Sequence, residues 1–237
     1  MTFFNSSDPL LRRKQTHLDI QDLEGLIRWN VTIKKRTLLS WLYTRIDQVF
    51  LLWGWITAVV FMTPHFFPAV SWSHQAIGWS ALTAIGIALM ISLAWFWVKV
   101  ERLRWLIYLW SGLMAGGLVV TDYGIWAGSG LILGHLCQLW LMICALGYGV
   151  MGVGMRSRTF LLMAFLHLGA ISLIPMVLGS QFLVTGLVTS GSLFFLAEVQ
   201  WDMRPPIDSP ELSAEQQAFN REQWRLRSEE ISLENIT

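Results

Sequence analysis

Hydrophobic and polar positions in this chain fall into long blocks, not into amphipathic faces. Residues 48–98, 105–121, 123–155 and 159–197 contain no Asp, Glu, Lys or Arg. A membrane-spanning helix needs about 20 predominantly apolar residues, so the blocks hold six. Pro64 and Pro68, with Ser71, Ser73 and His74, divide the first block into segments 46–63 and 76–98. Asp122, amid Gly124, Gly128 and Gly130, separates 105–121 from 130–153. Pro175, Gly179 and Ser180 mark the turn between 159–177 and 181–199. The predicted fold is all-α: a polytopic membrane protein whose six transmembrane helices form three hairpins. Two short charged turns, 99–104 and 156–158, join the hairpins.

The flanks read differently. Residues 1–45 form a basic N-terminal segment. Within it Ile20, Leu23, Ile27 and Val31 recur at helical spacing, followed by Lys34-Lys35-Arg36 and then Leu38, Leu39, Trp41 and Leu42. That pattern suits an interfacial helix over 16–42, with its basic run near anionic headgroups; ordinary topogenic charge is the favoured alternative reading of the run. Residues 200–237 form a C-terminal tail broken by Pro205, Pro206 and Pro210. There Ser213 and Gln216 have the spacing of a capping box that opens a helix of about four turns.

Composition agrees with the blocks. The chain is 54% hydrophobic and 14% charged, against about 25% charged in a soluble domain. Its net charge of +1 conceals a separation along the chain. Every Lys and Arg lies before residue 46, at 99–104, at 156–158 or after 203. The loops 64–75, 122–129 and 178–180 have none. By the positive-inside rule both termini are cytoplasmic. Trp41, Trp95, Trp105 and Trp201 gather at the expected inner ends, and Trp72, Trp79, Tyr123 and Trp126 at the outer ends. The apolar blocks begin only after about 45 residues, so the first segment is expected to insert as an uncleaved anchor. The basic residues flank apolar segments and form no continuous groove, which excludes nucleic acid as a partner. Compact loops point to a bacterial inner (cytoplasmic) or thylakoid membrane. The lipid bilayer and other membrane proteins are the expected partners.

Candidate chemistry is sparse. No acid or base lies near the middle of a segment, which argues against a proton- or sodium-driven transporter built on a buried carboxylate. What remains is His135, Gln138, His167, and a stripe of Gln181, Thr185, Thr189 and Ser192 on the last segment. Together these form a polar seam among the last three segments. Gly112/Gly116 and Gly130/Gly134 are Gly-x-x-x-Gly pairs that let helix backbones approach closely. The favoured reading of both features is interhelical packing. A second reading makes His135 and His167 axial ligands of a haem or another pigment. Both-termini-inside topology with intramembrane histidines resembles the six-helix b-type cytochromes, which carry histidines on four successive helices; here the second and third segments have none. The two histidines also differ in depth by about 7 Å at 1.5 Å per residue. Ala127-Gly128-Ser129-Gly130 and His167-Leu168-Gly169 loosely resemble the rhomboid intramembrane proteases. Those have Gly-x-Ser opening the fourth helix and their His on the sixth, whereas this chain has Ala127 two residues before Ser129 and its His on the fifth segment.

Cys137 and Cys144 would be about 10 Å apart along one helix, too far for a disulfide. His65 and His74 have no third ligand nearby. No catalytic or metal-binding residue is assigned. The expected function is a non-catalytic accessory subunit, assembly factor or scaffold of a membrane complex. The alternatives are a haem- or pigment-binding membrane protein, and a transporter or channel for a neutral small molecule lined by the seam.

Overall fold

A computed structural model describes residues 3–4, 9–12, 14, 17–33, 36–205 and 207–234. The chain opens with β1 (Leu11–Arg12), α1 (Ile20–Leu23) and the strands β2 (Ile27–Ile33) and β3 (Arg36–Tyr43). The long helices α2 (Arg45–Phe66), α3 (Trp72–Val100) and α4 (Arg104–Trp126) follow. Next come the short α5 (Gly130–Gly134), then α6 (Leu136–Met155), α7 (Arg158–Leu173) and α8 (Gln181–Glu198). The strand β4 (Gln200–Trp201) and the helix α9 (Ala214–Glu234) close it. Six helices are long and apolar enough to cross a membrane. The protein is a mostly helical, multi-pass membrane protein.

Helix ends follow local capping chemistry more closely than prolines and glycines. Ser71 caps α3 by accepting from the amide of His74, so the helix begins at Trp72 and absorbs residues expected in a loop. Pro64 lies inside the last turn of α2 and does not end it. At the other end of α2, Thr44 and Asp47 make a reciprocal capping box. Asp122 also continues α4: it accepts from the Ser80 hydroxyl of α3 at 2.8 Å, which allows a carboxylate on a helix where the sequence pattern predicts a break. The fourth apolar segment splits at His135, whose backbone leaves helical geometry between α5 and α6. The fifth segment finishes as a 3₁₀ turn over Ile174–Met176. The capping box at Ser213 and Gln216 forms as expected, with bonds of 2.9 and 3.2 Å.

The helix predicted across 16–42 is replaced by α1 and an antiparallel strand pair. Residues 27–33 alternate apolar and polar without interruption (Ile27, Arg28, Trp29, Asn30, Val31, Thr32, Ile33), and this period of two is that of a strand. Four of the seven are β-branched, which disfavours helix further. The register pairs Ile27 with Tyr43, Trp29 with Trp41 and Val31 with Leu39. Lys34 and Lys35 lie outside the described residues.

Within the bundle α2 packs most extensively on α8, and α6 on α7; α3 and α4 complete the ring. The α2–α8 contact depends on small residues. A methyl group added at Gly54 would lie 2.6 Å from the Phe194 ring, and one at Gly186 would lie 3.1 Å from the Phe61 Cβ. The two Gly-x-x-x-Gly pairs sit elsewhere: Gly112, Gly116, Gly130 and Gly134 have nothing within 4 Å of such a methyl. An aromatic cluster of Phe50, Tyr148, Phe160 and Trp201 fills the bundle where the two chain tails meet it.

Candidate ligand-binding site

Both tails fold onto the end of the bundle that carries the charged turns. β1 pairs with β4, matching Leu11 to Trp201 and Arg12 to Gln200. Asp19 and Arg227 form a buried two-point ion pair, each bond 3.0 Å, and Arg227 also donates to the carbonyl of His17. The Asn220 side chain accepts from the Ile20 backbone amide and donates to the Gln21 side-chain Oε1. Gln21 in turn donates to Glu101 at 2.8 Å. Residues some 200 positions apart in sequence are thus joined through one hydrogen-bonded chain to the turn between α3 and α4. Lys14 pairs with Asp47 at 2.9 Å, and Arg204 donates to the carbonyl of Glu101.

Asp202 anchors the second charged turn. It accepts from the Ser157 hydroxyl, the amides of Arg158 and Thr159, the Thr159 hydroxyl and the Arg158 guanidinium, at 2.7 to 3.0 Å. The free amides of a helix N-terminus attract an anion, and Asp202 supplies one to α7. Burial opposes ionisation, but the amide and hydroxyl donors outweigh it and hold the carboxyl below the usual range.

A polar cavity of about 100 Å³ lies within this network, lined by Gln21, Asp22, Trp97, Glu101, Arg204 and Trp224 among others. Asp22 is partly exposed and accepts from the Trp97 indole at 3.1 Å. Desolvation, reinforced by the neighbouring Asp19 carboxylate, pushes Asp22 up to about 7. Burial also raises Glu101, to about 6, against the opposing pull of Arg204 and Gln21. Glu101 is 3% exposed, and its Oε2 has no hydrogen-bond partner. Among the described residues neither Asp22 nor Glu101 makes an ion pair.

An apolar cavity, also of about 100 Å³, adjoins it inside the bundle and shares Ile46, Trp97 and Trp201 with it as walls. Phe50, Met90, Leu106 and Met151 contribute to its lining. A third cavity, about 40 Å³, lies farther along the bundle and shares Trp53, Thr57, Met114 and Cys144 with the second. The three cavities run from a charged chamber into the aromatic interior.

The residues singled out in the sequence are dispersed around this axis. His135 is exposed at the α5–α6 break, its Nδ1 2.9 Å from the Leu131 carbonyl. His167 is fully buried, its Nδ1 2.8 Å from the Met163 carbonyl and its ring beside Tyr148. His167 Nε2 has no partner. Among the described residues no hydrogen bond or ring contact joins the two imidazoles, and no hydrogen bond joins Ser129 to His167. Thr185, Thr189 and Ser192 are buried on α8. Thr189 and Ser192 donate back to carbonyls four residues earlier on their own helix, so their hydroxyls pack between helices without bonding across them. Gln138 and Gln181 are half-buried, and the Gln138 side-chain oxygen has no partner. Cys137 and Cys144 are free thiols. Among the described residues no three His, Cys, Asp or Glu side chains gather closely enough to hold a metal.

Sequence reasoning missed the chamber altogether. Asp22, Gln21 and Asn220 stand in polar flanks without a motif, and Glu101 resembles any charge in a turn between apolar segments. No family model, curated protein or solved structure matches the chain.

Proposed function

We propose that this is a non-catalytic membrane protein that holds a small, largely apolar molecule within its helical bundle. The adjoining cavities carry this reading: an apolar chamber walled by aromatic and aliphatic side chains opens beside a polar one at the charged end. Ligand sites of membrane and soluble bundles have this form, a mostly apolar concavity with a few polar groups that fix orientation. The reading lies nearest to the cofactor- or pigment-binding class, but the binding element is the cavity wall, not a histidine pair. The positive-inside rule puts the charged end and both tails in the cytoplasm, of a bacterial cell or of the compartment facing a thylakoid.

The test is purification in mild detergent, solvent extraction and mass spectrometry. The expected result is one discrete apolar molecule, close to stoichiometric, that is lost when Ala94→Phe fills the apolar cavity. An extract of the same composition as bulk membrane lipid, unchanged in the variant, overturns the reading. An accessory-subunit role is a second reading. It is favoured by α9, which presents the exposed aromatic side chains Phe219 and Trp224 on the tail.

A further inference from the structure

The polar chamber has an unusual charge balance. Four carboxylates, Asp19, Asp22, Asp47 and Glu101, line it. Two of them are neutralised in place: Asp19 by Arg227 and Asp47 by Lys14. Among the described residues Asp22 and Glu101 make no ion pair and Glu101 keeps a buried oxygen with no donor. A desolvated carboxylate is stabilised by a proton or by a cation. Three indoles line the same chamber, Trp97 and Trp201 buried and Trp224 exposed at its rim, and an indole face attracts an ammonium, most strongly where water is excluded. Arg12 and Arg204 also line it. Arg204 is already committed to the Glu101 backbone carbonyl; its charge favours the ionised Glu101 carboxylate, but it forms no ion pair with it among the described residues.

We propose that the two adjoining cavities bind a cationic amphiphile, with an ammonium head between Asp22, Glu101 and the indoles and an apolar tail among Trp53, Met90, Leu106 and Met151. The proposal rests on the reading of the bundle as a container for an apolar molecule and adds the chemistry of the head. It explains why the chamber and the apolar cavity share Trp97 and Trp201: these residues stand where head and tail join. Both carboxylates sit above their usual range, as expected of groups whose counter-charge arrives with a ligand. The tail is an unbranched alkyl chain: the apolar cavity alone is smaller than the roughly 150 Å³ that admits a benzene ring, and the end of an octyl chain continues past Trp53 and Met114 into the third cavity.

The full-length protein in nanodiscs is titrated with octyltrimethylammonium while tryptophan emission is read. Octanol, octyl sulfate and tetramethylammonium serve as comparisons. Octyltrimethylammonium is expected to bind saturably and at least about tenfold more tightly than octanol, the lower range for a close charge pair shielded from water. Asp22→Asn, which keeps the side-chain shape, is expected to abolish that preference; Glu101→Gln is the second variant. Equal binding of octanol and octyltrimethylammonium, insensitive to Asp22→Asn, overturns the cationic head and leaves the container reading standing. Tightest binding by octyl sulfate overturns it in favour of an anionic head. Equally tight binding of tetramethylammonium removes the tail from the proposal, and no binding of any alkyl probe removes both readings.

Discussion

The two ends of the bundle are built by different means. At the charged end, chain tails and turns are tied by directional bonds: Asp19 to Arg227, Gln21 to Glu101, and Asp202 to five donors. At the opposite end, large apolar and aromatic side chains stand open, including Phe66, Phe67, Trp126, Met176 and Leu178. The one acid there is Asp122, held by Ser80. The membrane interface favours Trp and Tyr, such as the exposed Trp126 and Tyr123, without requiring a specific partner, so the exposed end needs little defined geometry. The charged end buries ionisable groups, which favours specific partners for them; Glu101 Oε2 is left without one. Selectivity for a ligand requires fixed polar atoms, and among the described residues the cavity lined by several buried carboxylates lies at the charged end.

The largest effect expected from this contrast is at Asp202. Asp202→Ala leaves the amides of α7, two hydroxyls and the Arg158 guanidinium without their shared acceptor. Removing one partner of a buried charged cluster costs about 3–5 kcal/mol. Unfolding of the variant in detergent should occur at markedly lower temperature than for the parent, with α7 exchanging its amide hydrogens faster. A variant as stable as the parent would falsify the view that directional bonds hold this end.

A smaller effect is expected from pH, and its sign is set by Asp22 and Glu101. Asp22 lies at about 7 against an ordinary 3.8, and Glu101 at about 6 against 4.5. Between about pH 4 and 7 the native chamber therefore binds more protons than the unfolded chain, and stability falls as pH rises through that window. The groups facing the pair are Asp19, which raises both, and Arg227 and Arg204, which oppose it. Asp202 acts in the reverse sense: its depressed carboxyl contributes stability above the ordinary value and loses it as pH falls lower. The empty protein should therefore melt at higher temperature at pH 5.5 than at pH 8, and Asp22→Asn should shrink the difference. Equal melting at the two pH values, in parent and variant alike, removes the claim that the chamber carboxylates are desolvated.

The contrast also explains what could be read from sequence. Six apolar helices were legible because a bilayer imposes a length and a composition on every span, and the charge-free blocks record both. The capping box at Ser213 was legible because both partners lie within four residues. Glu101 and Asn220 were not legible: what gives each a role is a contact with Gln21, about 80 and 200 residues away in sequence. The Gly-x-x-x-Gly pairs misled for a related reason. Spacing marks a face but not what covers it, and close approach occurs instead at Gly54 and Gly186, which belong to no motif. Residues 27–33 carried their strand period in plain view, but sparse apolar positions at helical spacing ran through the same stretch.

The smallest effect is expected at the opposite end, where Ser80→Ala removes the one hydrogen bond that Asp122 makes across helices. Asp122 already has one carboxylate oxygen without a partner, and both residues are half-buried. The loss is therefore about 1 kcal/mol, that of a single side-chain hydrogen bond. Asp122→Asn supplies the control, because the amide removes the charge while keeping the shape. If the bond matters only as a hydrogen bond, Ser80→Ala and the double variant should melt within about 1 kcal/mol of the parent. If Ser80→Ala matches Asp202→Ala in its effect, Asp122 is a buried charge held by geometry as strict as that of the charged end. The distinction between an end built from bonds and an end built from partition then disappears.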